Sequence, residues 1–328
     1  MGNIFDFFSS TNNKNNFGVT KEEIKQAQKM GFGYFFKLLR RSFGKLTGLN
    51  VVFIICNLPI LLALFGLSGD LNATVNTPTN PLYAQLYGVM QYEQNPLTAA
   101  LNGILGNSTD LQIVSDASRI LMYSGLLIIL TIGLSSAGMY YVLRNLAKSE
   151  FVTVWRDFFG AIKKNYKQAL IIGLLDSLIC YILAYDFITY QANIGDFLMN
   201  IFYIAIIVFA LMYLIMRNYM YTIIVTFDLP LKKVLKNSFL LSVLGLKRNI
   251  VGLIGSVFIL LLSVYLFILL PTAGALLPFV LTISLISFIG AYCAYPVIKK
   301  YMIDPYYDEH PEERPQEPNI EPIFKDRG

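Results

Sequence analysis

Long apolar blocks alternate with shorter polar connectors along most of this chain. Six blocks stand out, near residues 46–68, 120–142, 168–190, 198–226, 250–271 and 278–298. Each supplies the run of about 20 apolar residues that crosses a hydrocarbon core about 30 Å thick. The pattern predicts an all-α, polytopic membrane protein with six transmembrane helices. Apolar residues make up 55% of the 328 positions and charged ones 14%. Soluble domains carry roughly 25% charged residues, so the composition points the same way.

Basic residues fall on alternate connectors. Lys14, Lys21, Lys25, Lys29, Lys37, Arg40, Arg41 and Lys45 precede the first block. Arg144, Lys148, Arg156, Lys163, Lys164 and Lys167 lie between the second and third. Lys232, Lys233, Lys236, Lys247 and Arg248 lie between the fourth and fifth, and Lys299 and Lys300 follow the sixth. The intervening connectors hold Arg119 alone. The positive-inside rule then expects both termini in the cytoplasm of a cell carrying this multi-pass protein in its plasma membrane. No signal peptide is expected, because some 45 polar and mixed residues precede the first block.

This divides the chain into a cytoplasmic N-terminal segment (1–30), a six-helix membrane domain (31–305) and a disordered cytoplasmic tail (306–328). The tail is rich in Pro and charge, and its His310 is expected to be solvated. A capping box at residues 20–23 marks a helix start. In "YFFKLLRRSFGKL", Lys37, Arg41 and Lys45 share a face with Arg40 beside it, while Phe36, Leu39, Phe43 and Leu46 lie on another. Such a basic amphipathic helix suits the cytoplasmic lipid headgroups, and the aromatic face argues against nucleic acid. Similar segments precede the third and fifth blocks, with Asp228 the expected N-cap of the latter. The chain thus reads as three units, each a basic surface helix followed by a membrane hairpin. The outer loop, 69–119, offers two short helices, around Leu82, Leu86 and Val89 and within "PLTAALNGILGN", and sequons at Asn72 and Asn107.

Two carboxylates interrupt the third block. Asp176 lies nine residues past Lys167, about 13 Å along its helix. Arg217 lies nine residues before Thr226 on the next, antiparallel block, at the same depth. A mid-bilayer charge costs about 2.5–3.5 kcal/mol on insertion scales, so these two are expected to pair, with Asn218 nearby. Asp186 lies about 15 Å higher, near the outer interface, and needs no partner. Asn57, beside Pro59, is another polar position inside a block. Two readings of the pair stand: a clamp fixing helix register, and an ion or proton site. Gly133 with Ala137, Gly252 with Ser256, and Gly290 with Ala294 are spaced for close helix approach. Cys56, Cys180 and Cys293 read as small packing residues.

Catalytic patterns are missing. One His and no ligand cluster argue against metal chemistry. "GFGYFF" lacks the third glycine of a phosphate loop. "NIGD" has Asn193 where an intramembrane aspartyl protease needs glycine. No enzyme activity, metal or cofactor is expected.

The stretches "RSFGKL", "LNVVFIICNLPI", "TIGLSSAGMYYVLRNLAKSE", "VWRDFFGAIKKNYKQA", "RNYMYTIIVTFDLPLKKVLKNSFLLSVLGLKRN" and "YPVIKKYMIDP" resemble the YesL-like family of bacterial membrane proteins. The likeness runs from about residue 30 to 305, except for the longer outer loop. It implies an unknown molecular function and, from frequent encoding beside carbohydrate ABC transporter components, an accessory role in sugar uptake. Expected partners are the lipid bilayer and permease subunits of a sugar importer. The alternative is a small transporter or channel using Asp176, Arg217 and Asn57.

Overall fold

The computed structural model describes residues 30–78, 96–97, 100, 108–193 and 195–313. In chain order its elements are α1 (Phe32–Cys56), α2 (Leu58–Leu67), β1 (Ala73–Pro78), β2 (Ser108–Ile113), α3 (Asp116–Ser124), α4 (Ile128–Ala147), α5 (Val154–Ala192), α6 (Phe197–Ile224), α7 (Leu231–Leu244), α8 (Leu246–Leu269), α9 (Pro271–Leu277), α10 (Ile283–Ile298) and α11 (Asp304–Glu309). A π-helical segment, Pro278–Thr282, joins α9 to α10, and a second, Lys299–Ile303, joins α10 to α11. Among the described residues five helices are long and apolar enough to cross a bilayer, or six if α1 and α2 count as one broken span. Their outward faces are apolar: on α8, Ile254, Phe258, Leu261 and Ile268 are all exposed. Soluble monomers rarely leave such continuous surface bare, so this is a membrane-embedded helical protein.

Two compact units make up the chain, Asn57–Ile128 and the remainder. In the smaller unit, α2 and α3 pack through Gly66, where a Cβ would stand 2.9 Å from that of Leu121. The Ser115 side chain caps α3 by accepting from the Ser118 N–H at 3.1 Å. The loop at 69–119 departs from the all-helical expectation. β1 and β2 form an antiparallel ribbon, with Ala73 opposite Ile113 and Pro78 opposite Ser108. Thr74, Val75 and Thr77 of β1 are β-branched, a composition that favours extended backbone, and the helical spacing sought in this loop lay elsewhere. The short helix around residues 82–89, most of "PLTAALNGILGN" and the capping box at residues 20–23 lie outside the described residues.

The larger unit buries its core in the halves of the helices next to the basic connectors. Tyr34, Leu38, Ser42, Leu46, Leu49 and Phe53 form the inner stripe of α1. The apolar members of that stripe share one buried cluster with Leu143 and Leu146 of α4, Phe158 of α5, Ile223 of α6, Val234 and Leu241 of α7, and Phe288 of α10. That stripe runs unbroken from the basic segment into the apolar block. α1 is therefore one packed helix, not a separate surface helix followed by a span. α5 likewise fuses the second basic segment to its span, kinking at Asn165, whose side chain donates to the Ala161 carbonyl at 3.0 Å. Only the third basic segment stands apart, as α7, ended at Gly245. Its N-cap is Pro230 rather than Asp228, because the helix starts only after the proline, whose own backbone is extended. The tail is helical as far as described: α11 is followed by a 3₁₀ turn at Pro311–Glu313, and His310 stacks on Tyr306 with centroids 4.7 Å apart.

Two contacts fix the bundle. Gly133 of α4 faces Gly173 of α5, where a Cβ on Gly173 would stand 2.5 Å from the Gly133 Cα. The fully buried Asn50 of α1 holds the π segment. Its amide donates to the Pro278 and Phe279 carbonyls at 2.8 and 2.7 Å, and its Oδ1 accepts from the Ser284 N–H at 2.8 Å. A π turn leaves backbone groups that lipid cannot satisfy, and one side chain takes three of them.

Gly173→Ala is expected to force the α4–α5 crossing apart, lowering the unfolding midpoint in detergent by an amount equivalent to about 1–3 kcal/mol. Gly160→Ala, at a site with nothing within 4 Å, is the control and should leave the midpoint nearly unchanged.

Candidate functional site

Ser136 and Asp176 each sit one turn beyond Gly133 and Gly173, so the close crossing delivers both to the face of α6. On α6, Tyr213, Arg217 and Tyr221 recur every four residues and form one stripe. The Asp176 carboxylate is 2% exposed and surrounded by donors from that stripe. The Tyr213 hydroxyl donates to Oδ1 at 2.7 Å. The Tyr221 hydroxyl and Arg217 Nε both donate to Oδ2, also at 2.7 Å. Cys180, one turn along α5, brings its thiol within 3.8 Å of Oδ1.

The other side of Arg217 is held more loosely. Its Nη2 donates to Ser136 Oγ at 3.4 Å, and the guanidinium lies 5.3 Å above the Tyr221 ring. Tyr221 stacks on Tyr140 with centroids 5.6 Å apart. The Tyr140 hydroxyl donates to Asn218 Oδ1 at 2.5 Å, and Asn218 Nδ2 donates to the Leu214 carbonyl at 3.1 Å. Gly290 of α10 leaves room for the Asn218 amide, since a Cβ there would overlap it. Next to this cluster is a cavity of about 140 Å³ whose walls include Tyr140, Arg217, Asn218, Asn249, Ser256 and Ser287. Asp176 is not among its walls.

Chemically, the carboxylate has little left to offer. Two tyrosine hydroxyls and a guanidinium occupy both oxygens, and the thiol approaches one of them. No three His, Cys, Asp or Glu side chains converge on a metal-sized gap among the described residues. The arrangement neutralises a buried charge and pins α5 to α6.

The structure brings Asp176, Arg217 and Asn218 into one neighbourhood. Asn57 is buried in the smaller unit, where its carbonyl accepts from the Ile60 N–H at 3.1 Å, while the Asp176 cluster belongs to the larger. Asp186 makes no hydrogen bond or ion pair among the described residues. Lys37, Arg40 and Arg41 project outward from α1, and the half-buried Lys45 lies 5.2 Å above the Phe151 ring.

Sequence reasoning missed the two tyrosines, although their four-residue spacing around Arg217 was there to read. It also passed over two cations counted only as orientation signals. Arg144 is buried and donates to the Val225 carbonyl at the end of α6, to Thr226 Oγ1 at 3.2 Å and to Asn145 Oδ1. Arg248 donates to the Met30 and Tyr292 carbonyls at 2.9 and 3.2 Å. Arg144 satisfies a carbonyl left over at a helix end, and Arg248 reaches the Tyr292 carbonyl that Pro296, lacking an N–H, leaves open within α10.

Residues 120–187 match the model of a family described as "Protein of unknown function, DUF624". That stretch runs from α3 through most of α5 and includes Gly133, Ser136, Gly173 and Asp176, but not α6. No curated protein and no solved structure matches the chain.

Removing one partner of a buried ion pair strands the other charge, which typically costs about 3–5 kcal/mol. Arg217→Ala is therefore expected to lower the unfolding midpoint in detergent far more than Tyr213→Phe, which removes one charge-assisted hydrogen bond of about 1.5–3 kcal/mol. Equal, small shifts would show that the carboxylate is not held by its charge partner.

Proposed function

We propose that this chain is a non-enzymatic accessory protein of the cell membrane that acts by contacting other membrane proteins. The observation that carries this reading is the sealed Asp176 carboxylate: both oxygens are occupied and neither borders the cavity. A carboxylate that relays ions or protons needs a free lone pair and a wet approach. This one has the surroundings of a structural clamp. The YesL-like resemblance supplies the finer reading, in which the partners are permease subunits of a carbohydrate importer. The distribution of basic connectors supports six crossings with both termini in the cytoplasm.

One observation favours transport as a second reading: the cavity beside the pair is bordered by Arg217 itself. The two readings separate in a single variant. Under the clamp reading, Asp176→Asn lowers expression on its own, and combining it with Arg217→Gln restores both expression and copurification with a permease subunit. Under the transport reading the double variant folds, yet uptake driven by the chain alone is lost. Failure of the double variant to recover would count against a clamp, and no permease in the native preparation would count against the accessory role.

A further inference from the structure

The clamp does not account for the cavity between α4, α6, α8 and α10. Its walls are mixed, with Leu214, Leu253 and Ile286 apolar and Arg217, Tyr140 and Ser256 polar. Arg217 spends Nε on Asp176 and Nη2 on Ser136, and among the described residues no acceptor meets Nη1. The Ser256 hydroxyl donates to the Gly252 carbonyl at 2.9 Å, and the Tyr140 hydroxyl to Asn218 at 2.5 Å. The Ser256 oxygen keeps lone pairs able to accept, and the Tyr140 oxygen also has the Ser287 side chain within hydrogen-bonding reach. A guanidinium and two hydroxyls thus border a partly open cavity of mixed polar and apolar lining, which Asn218, Asn249 and Ser287 also face.

Charge and size narrow what fits. Asp176 already balances Arg217, so a second anion would sit as an unpaired charge in a low-dielectric site, and a cation would meet the guanidinium. A carbonyl compound could accept from Arg217 but give nothing to Ser256 or Tyr140. A hydroxyl does both. The volume is close to that of the roughly 150 Å³ cavity known to take benzene, so an occupant of about six to eight non-hydrogen atoms fits.

We propose that this cavity binds a small neutral alcohol or polyol, whose hydroxyl accepts from Arg217 Nη1 and donates to Ser256 Oγ. Gly252 and Gly290 border the space. This goes beyond the accessory reading and does not depend on which protein the chain contacts.

The test uses the full chain purified in an amine-oxide detergent, which brings no hydroxyl groups of its own. Cyclohexanol is compared with methylcyclohexane, cyclohexylammonium and cyclopentanecarboxylate by thermal unfolding and saturation-transfer NMR. Cyclohexanol should raise the unfolding midpoint saturably and outcompete the others. Ser256→Ala should weaken it roughly tenfold, the effect of one hydrogen bond, and Ser256→Leu should fill the space and abolish it. Equal binding of methylcyclohexane would make this a plain apolar hole and overturn the proposal. So would preference for a charged probe, no saturable response to any probe, or unchanged cyclohexanol affinity in Ser256→Ala. The alanine comparison decides the matter if the leucine variant does not fold.

Discussion

A carboxylate taken out of water inside a lipid-facing bundle must be met by donors from its neighbours, and the packing around Asp176 is organised by that demand. Two helices that share an ion pair and two tyrosine hydroxyls cannot slide by a turn without stranding a charge. In lipid this matters more than in water, because apolar contact between helices has no hydrophobic drive behind it. Register has to come from polar groups and from close backbone contact. The Gly133–Gly173 crossing supplies the second and positions the first.

The same logic recurs at the other buried polar positions. Asn50 serves the π segment, Arg144 the end of α6, Arg248 the carbonyls of Met30 and Tyr292, and Asn249 accepts from Tyr219 while donating to the Ser242 carbonyl. In each case a side chain meets a backbone carbonyl or another side chain that lipid would leave bare. The polar residues of this bundle repair its irregularities.

The long apolar blocks were legible because hydrocarbon thickness sets their length and leaves few alternatives. The depth match between Asp176 and Arg217 was legible for a similar reason, since helical rise converts residue counts into height. Rotation about the helix axis was harder. The basic residues of α1 suggested a surface helix, yet the buried stripe from Tyr34 to Phe53 follows a different face of the same segment. Asn50, Arg144 and Arg248 were unreadable in their roles because each serves backbone groups, which carry no side-chain signature. The ribbon in the outer loop was hidden by short apolar runs whose helical spacing competed with two brief extended stretches.

Pro278–Thr282 has a further consequence for how this molecule tolerates change. A π turn holds one residue more than an α turn, so it resets the angular phase of everything that follows by about 100°. Downstream of it, α10 is buried on nearly every side, with Ser284, Leu285, every residue from Phe288 to Tyr295, Val297 and Ile298 all covered. The extra residue therefore acts as a phase correction written into the chain: shorten it by one, and every side chain of the last long helix turns by about 100° away from its present neighbours while its composition stays the same.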